Sequence, residues 1–335
     1  MKQNTMKKLV NYYPFNMQTT GETVIQGIRG IKGTKKVYIA ASLVNNGTSS
    51  SMIGLLYEGP LLGNGVNGVW NELVFTSPDF DDVINTSCYG PNDKGNNEVQ
   101  IVGSYKRASV NIMYGFLYEG PVNGQGTWTT ISPNGGDFMN CFVHSIMGDL
   151  AVGNYDTKLT NGYAFIYNII TREYIDFMIP EAYSTTLYGI WHNGGNSYTL
   201  AGGCGMGKVG DLSQAFITDW DASNNTMSNT RFYQYLDEKL QTIVTHFEGI
   251  TSDNDGGYNL PSDWVSATAK GGAAFVKIKR NLDNTFSDAE WVALSYPTSD
   301  ALSLSANTSF ENKTLGVYTT EEGVISYCAD VIDVN

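Results

Sequence analysis

The sequence predicts an all-β protein, a six-bladed β-propeller of four-stranded antiparallel blades. Three observations carry that expectation. The heptad GLLYEGP, starting at Gly54, returns as GFLYEGP at Gly115. The core of the heptad recurs along the rest of the chain. Only 16% of the 335 residues are charged while 37 are Gly, a mix that suits short strands and tight turns better than long helices.

The recurring core is small–aromatic–aliphatic: Gly115-Phe116-Leu117, Ala164-Phe165-Ile166, Ala215-Phe216-Ile217 and Ala274-Phe275-Val276, with a looser copy at Ser326-Tyr327-Cys328. With Leu55 aligned to the aromatic position, successive copies stand 61, 49, 51, 59 and 52 residues apart. Six units fill the chain, a period that signals a repeat architecture. Each unit begins with a segment ending near Gly, such as TVIQGI, NTSCYGP or TTLYGIW. A β-rich segment follows, such as VYIAAS, VQIVGSY, LAVGNY or YTLAGG. The aromatic segment is third. The fourth often carries Trp and closes on Pro: WNELVFTSP, WTTISP, YIDFMIP, WVALSYP. All are rich in β-branched and aromatic residues and bounded by turn formers. Four strands per repeat is the propeller pattern, and a closing Pro suits an outer edge where a missing N–H costs least. The expected blades are 23–78, 83–133, 140–180, 184–236, 242–297 and 301–335, all in one domain.

The sixth repeat stops after its third strand. Its missing fourth segment stands at the other end of the chain as LVNYYPF, with Pro14 in the place of Pro78, Pro133, Pro180 and Pro297. Residues 9–14 are therefore expected to complete the last blade and close the ring.

The segments IVGSY…GFLY and YGIWHNGGNSYTLAGG resemble the HAF-type repeats of bacterial proteins. That resemblance implies a propeller-like fold and no particular chemistry, and no catalytic family is recognised.

Composition narrows the partners. Hydrophobic residues make up 41%, enough for a sizeable core. The net charge of −13 repels nucleic-acid phosphates and acidic membranes, so neither is expected as a partner. The N-terminal MKQNTMKKLVNYYPF has no apolar leader core, and no stretch approaches the ~20 apolar residues of a spanning helix. Cys88, Cys141, Cys204 and Cys328 form no CxxC pair, which fits reduced thiols in a cytoplasmic protein. Secretion behind a leader outside these residues is the alternative. Oligomeric state is not legible.

In a propeller the first strand of each blade lines the axis. Aligned on their Gly, the first strands place Gln26, Tyr89, His144, Tyr188, Glu248 and Asn307 at one ring-facing position. Two residues earlier the same face carries Val24, Ser87, Phe142, Thr186, His246 and Ser305. The first ring has no aliphatic residue, unlike a face that only packs. The chain has three histidines, and two of them fall on these rings. A carboxyl among aromatic and polar groups acquires a raised pKa, and histidine titrates near neutrality. Glu248, His144, His246, Tyr188 and Tyr89 are thus the candidate catalytic residues. Gln26, Asn307, Phe142, Thr186 and Ser87, with Trp191 and His192 at the rim, are the candidate substrate contacts. Such rings also serve simply to hold blades together through hydrogen bonds.

Other chemistry has thinner support. His144, His246 and Glu248 match zinc or iron ligand types, but no HxH or HExxH occurs. The chain broadly looks like the lactonase-type propellers, which implies axial calcium, yet only Glu248 and Asn307 fit as ligands. A single axial metal ion is the secondary expectation; no cofactor is the primary one. DNDGG at 253–257 lacks the Glu of a calcium loop and reads as a turn. No GxSxG is present. Cys204 falls in the Gly-rich AGGCGMGKVGD, read as a rim loop. The functional expectation is a small-molecule enzyme working by acid–base steps, of hydrolase, lyase or isomerase type. The alternative is a non-catalytic binding propeller for carbohydrate or protein.

Overall fold

The computed structural model describes residues 8–17, 19, 21–45, 51–158, 162–207, 212–236 and 241–333. The protein is all-β, and its strands form consecutive antiparallel meanders. The first strand, β1, spans Lys8–Pro14. The first meander is β2 Glu22–Gly30, β3 Lys36–Val44, β4 Met52–Pro60 and β5 Val69–Leu73. The second is β6 Val83–Gly95, β7 Glu98–Arg107, β8 Met113–Pro121 and β9 Thr127–Ile131. The third is β10 Asn140–Met147, β11 Leu150–Asp156, β12 Tyr163–Asn168 and β13 Tyr174–Phe177. The fourth is β14 Ala182–Gly194, β15 Ser197–Met206, β16 Ser213–Asp221 and β17 Thr226–Tyr233. The fifth is β18 Thr242–Phe247, a short β19 Thr251–Ser252, β20 Gly257–Ser266, β21 Gly271–Lys279 and β22 Glu290–Ala293. The last is β23 Ser303–Phe310, β24 Lys313–Thr320 and β25 Gly323–Asp333.

The chain divides into two compact units. One comprises Tyr13–Phe177 and Gly323–Ser326. The other comprises Met178–Glu322 with residues 8–12 and 327–333. The first three meanders belong to the first unit, where the single parallel pairs Met52↔Asn85 and Met113↔Asn140 join neighbours. The fourth and fifth belong to the second unit, joined at Ser213↔Val244.

The last sheet runs β1–β25–β24–β23, so the N-terminal strand is the outer partner of the C-terminal one. Tyr12 packs edge-on against Tyr327 with ring centroids 5.7 Å apart, and Lys8 forms an ion pair with Glu290. Removing residues through Pro14 would expose the β25 edge, an invitation to intermolecular pairing. The expected result is a lower melting temperature and concentration-dependent aggregation, read by thermal melts and light scattering. An unchanged, monodisperse protein would count against this role for β1.

The third strands are buried on both faces, as their near-continuous apolar runs require; Leu55, Leu56, Tyr57, Phe116, Phe165 and Phe216 are fully buried. The fourth strands are short and half exposed. In the first unit Phe75 stacks on Tyr105 at 3.8 Å beside Phe116 and Trp128. In the second unit Phe247, Leu260, Val276, Trp264 and Trp291 share one core.

These contacts explain the repeated heptad. The Tyr57 hydroxyl donates to the Pro60 carbonyl at 2.9 Å, and Tyr118 does the same to Pro121. Each ring lies beside the Trp of the fourth strand, Trp70 at 5.0 Å and Trp128 at 4.7 Å. The leading glycine makes room for the next meander's cysteine: a Cβ on Gly54 would stand 2.6 Å from Cys88 Sγ, and one on Gly115 3.0 Å from Cys141 Sγ. The heptad is thus a packing device.

Two features differ from the sequence expectation. Cys204 lies inside β15 and is buried, with burial pushing its thiol up to about 12, so it is not on a rim loop. Residues 208–211 of that stretch lie outside the described residues. The fifth meander's second strand is GYNLPSDWVS, whose central proline hides its strand character. Pro261 is tolerated because its N–H side faces the gap between β18 and β19, where Glu248 N–H donates to the Pro261 carbonyl at 2.9 Å.

Candidate functional site

Near the middle of the first strand, pairing with the second strand skips a residue in five meanders. The skipped residues are Gln26, Tyr89, His144, Tyr188 and Asn307. In the fifth meander the strand itself breaks after Phe247, at Glu248. The six residues aligned from the sequence are therefore the bulge residues of their strands. A bulge turns its side chain out of the sheet's regular alternation, and all six are half-buried.

The register also shows what lies beneath each bulge. The second-strand residue paired two positions earlier sits under the side chain. Tyr89 hydroxyl meets Ser104 Oγ at 2.8 Å, and His144 Nε2 meets Asn154 Oδ1 at 2.9 Å. Under Glu248 the equivalent residue is Asp263, paired with His246.

In the second unit this produces a cluster of titratable groups. Glu248 and Asp263 are both half-buried, and their charges oppose each other. Burial, then the Asp263 charge, holds Glu248 well above the usual carboxylate range. Burial raises Asp263 to about 7, against the Ala306 N–H that donates to Asp263 Oδ1 at 2.8 Å. The environments are unequal: Asp263 has a backbone donor favouring its ionised form, and burial dominates at Glu248. The pair titrates as a unit in which Asp263 ionises first.

His246 stands beside them, with Nδ1 4.0 Å from Glu248 Oε1. Its ring lies over Gly203, where a Cβ would collide with it. Burial lowers its pKa to about 4, so it is neutral at pH 7, not titrating near neutrality as its type suggests. The Ser213 hydroxyl donates to the Cys204 carbonyl at 3.2 Å and so accepts from His246 Nε2–H at 2.9 Å. That leaves the Nδ1 lone pair facing Glu248. Ser213→Ala is expected to release this tautomer preference. With three histidines in the chain, ring ¹⁵N NMR at pH 7 reads it directly: an Nε2–H ring in the parent, a mixture in the variant. An unchanged ring spectrum would sink the assignment.

Tyr188 lies 6.0 Å from His246, centroid to centroid. Ser305 Oγ bonds Asn307 Oδ1 at 2.7 Å, and Tyr327 hydroxyl donates to the Ser305 carbonyl at 2.9 Å. Thr186 Oγ1 donates to the Gly203 carbonyl at 3.2 Å.

The first unit holds a second, more aromatic cluster. Tyr89 and Phe142 lie 5.6 and 6.0 Å from the His144 ring, both near-parallel to it. Burial lowers His144 to about 4, and the Asn154 bond recovers only part of that. Ser87 Oγ contacts Met52 Sδ at 3.8 Å, and Gln26 is half-buried on its bulge. Arg29 is buried nearby, with Nη2 3.1 Å from Ser145 Oγ.

The remaining predicted contacts sit elsewhere. His192 Nε2 lies 2.8 Å from the Gly195 carbonyl in its own turn, and its ring stacks on Tyr198 at 4.6 Å. Trp191 lines a separate cavity described below. Among the described residues, no three His, Cys, Asp or Glu side chains gather as a metal site. Nor is any helix there long and apolar enough to cross a membrane. Sequence reasoning missed Asp263 and Ser213. The signal for Asp263 was the second-strand position occupied by Ser104 and Asn154 in other repeats. Ser213 opens the third strand of its meander and left no such trace.

No protein-family model and no curated protein sequence matches the chain. Among solved structures, it is similar to a β-1,2-mannobiose phosphorylase from Listeria innocua in complex with β-1,2-mannobiose, at 8% identity over 95% of this chain and 96% of that one, TM-score 0.49. It is also similar to a GH43_1 enzyme from Xanthomonas citri complexed with xylotriose, at 11% identity over 82% of this chain and 92% of that one, TM-score 0.47. A subtype N10 neuraminidase-like protein of A/little yellow-shouldered bat/Guatemala matches at 10% identity over 97% and 99%, TM-score 0.46. At these identities no residue's role is carried over.

Proposed function

We propose that the chain is a six-bladed propeller enzyme that acts on a small organic substrate by acid–base chemistry, of hydrolase type. The six meanders are its blades, with β1 completing the last. The observation that carries the chemistry is the Glu248–Asp263 pair, two carboxyls whose surroundings push their protonation apart. In such pairs the environment assigns the roles. Glu248 keeps its proton and serves as general acid. Asp263, once ionised, serves as general base toward water or a substrate C–H. Neutral His246 supplies an acceptor beside Glu248, and Tyr188 a hydroxyl for a substrate carbonyl or ring oxygen. Bound metal is not required by these steps.

The reading is tested by release of nitrophenol from a panel of nitrophenyl esters and glycosides, followed across pH. Turnover should rise as Asp263 ionises toward pH 7 and fall at higher pH as the pair loses its remaining proton. Turnover that is flat across this range, or none on any substrate, would turn the reading toward a purely structural pair.

A further inference from the structure

The second unit contains a cavity of about 520 Å³ that shares no lining residue with the carboxylate cluster. It opens where β14 ends, β16 ends and β20 begins. We propose that it is a second binding site, for a neutral polyhydroxy ligand such as a mono- or oligosaccharide. The inference does not rest on the acid–base reading.

The floor is preorganised. The Asp219 carboxylate takes both ends of the Arg280 guanidinium, at 2.9 and 2.5 Å, together with the Thr199 hydroxyl at 3.0 Å and Asn229 Nδ2 at 2.9 Å. Arg280 Nη2 also donates to Tyr258 hydroxyl at 3.0 Å, which donates in turn to Asn193 Oδ1 at 3.0 Å. Arg280 is stacked over Phe286 at 4.6 Å, so the network cannot swing away. Groups locked in this way lose little freedom when a ligand arrives.

The network also selects the ligand's charge. Asp219 and Arg280 neutralise each other, so the floor offers no net attraction to an ion. Asp221 on the wall repels anions. The rest of the polar lining is the amides of Asn193 and Asn229, each already bonded once or twice to the floor, and the hydroxyls of Ser197 and Ser252. Each both donates and accepts, as a sugar hydroxyl does. Half-buried Trp191 supplies an apolar wall for the C–H face of a ring. The volume falls in the range of small-molecule sites.

The test is titration of the full chain with maltotriose, cellotriose and xylotriose, followed by tryptophan fluorescence and calorimetry, with glucuronic acid and glucosamine as charged counterparts. The expected result is saturable binding of at least one neutral saccharide. Asn229→Ala, at an exposed position, should weaken it about tenfold, as should Arg280→Lys, which loses the planar fork. Glu248→Gln should bind like the parent, which separates this site from the carboxylate cluster. Three results would overturn the proposal: no response to any neutral saccharide, equal binding by the Asn229→Ala variant with its fold intact, or glucuronic acid binding as tightly as the neutral saccharides.

Discussion

Glu248→Gln should lose turnover by ~10²–10⁴-fold while becoming more stable above pH 7. Both halves follow from one fact: two half-buried carboxyls stand where only one can ionise cheaply. The substitution removes the proton donor but keeps the shape. It also removes a carboxyl that burial and then the Asp263 charge hold above its unfolded pKa. The sign of the stability effect follows from linkage. Asp263 has a folded pKa of about 7, above its unfolded value. Between pH 4 and 7 the folded state therefore binds more protons, and stability falls as pH rises through that window. Asp263→Asn removes this cost and still accepts from Ala306 N–H. Its gain over the parent should be on the order of 2–4 kcal/mol above pH 7 and vanish near pH 4. The two histidines act in the opposite sense. Their folded values of about 4 lie below the unfolded 6.5, so they withdraw stability as pH falls from 6.5 through 4. Thermal melts of the parent and both variants at pH 4, 6 and 8 separate these contributions. If Glu248→Gln stayed active, the acid assignment would fail. If both variants melted lower at pH 8, the carboxyls would be structural partners and not opponents.

Gly202→Ala is expected to destabilise the second unit by more than ~3 kcal/mol, and Gly202→Val to prevent folding. Gly202 has no unusual backbone angle, so conformational freedom does not explain it. The reason is close approach: a Cβ would fall inside the Thr186 carbonyl oxygen. Gly103, Gly153 and Gly316 meet the carbonyls of Ser87, Phe142 and Ser305 in the same way. Each bulge pushes the carbonyl two residues earlier toward the second strand, and only a residue without a side chain accommodates it. A glycine within a strand otherwise costs about 0.5–1 kcal/mol relative to Ala, so the sign of the substitution distinguishes the two cases. Gly271→Ala is the control, because its nearest neighbour would be Trp264 carbonyl oxygen at 3.7 Å; it should stay within about 1 kcal/mol of the parent. Chemical denaturation of the three variants reads the difference. A Gly202→Ala variant as stable as the control would show that the bulges relax freely.

The two expectations share an origin in the bulges, and the bulges mark how far the sequence was legible. Strand order, the six repeats and the pairing partner of β1 follow from local pattern, because period-two alternation and turn residues act over a few positions. The bulge residues were legible too, since each precedes a Gly or small residue where the neighbouring first strand passes closely: Gly27 meets Tyr89 and Gly90 meets His144 backbone. The second strand of the fifth meander was not, because Pro261 breaks the pattern, and its tolerance depends on a gap in another strand. Asp263 disappeared with it. The neutral state of His144 and His246 was equally hidden, since residue type sets the starting pKa and burial by distant segments sets the shift. Alternation and turn chemistry thus wrote the strands and aimed six side chains out of them. Register and burial decided what lies under each, because those depend on residues brought together from separate strands.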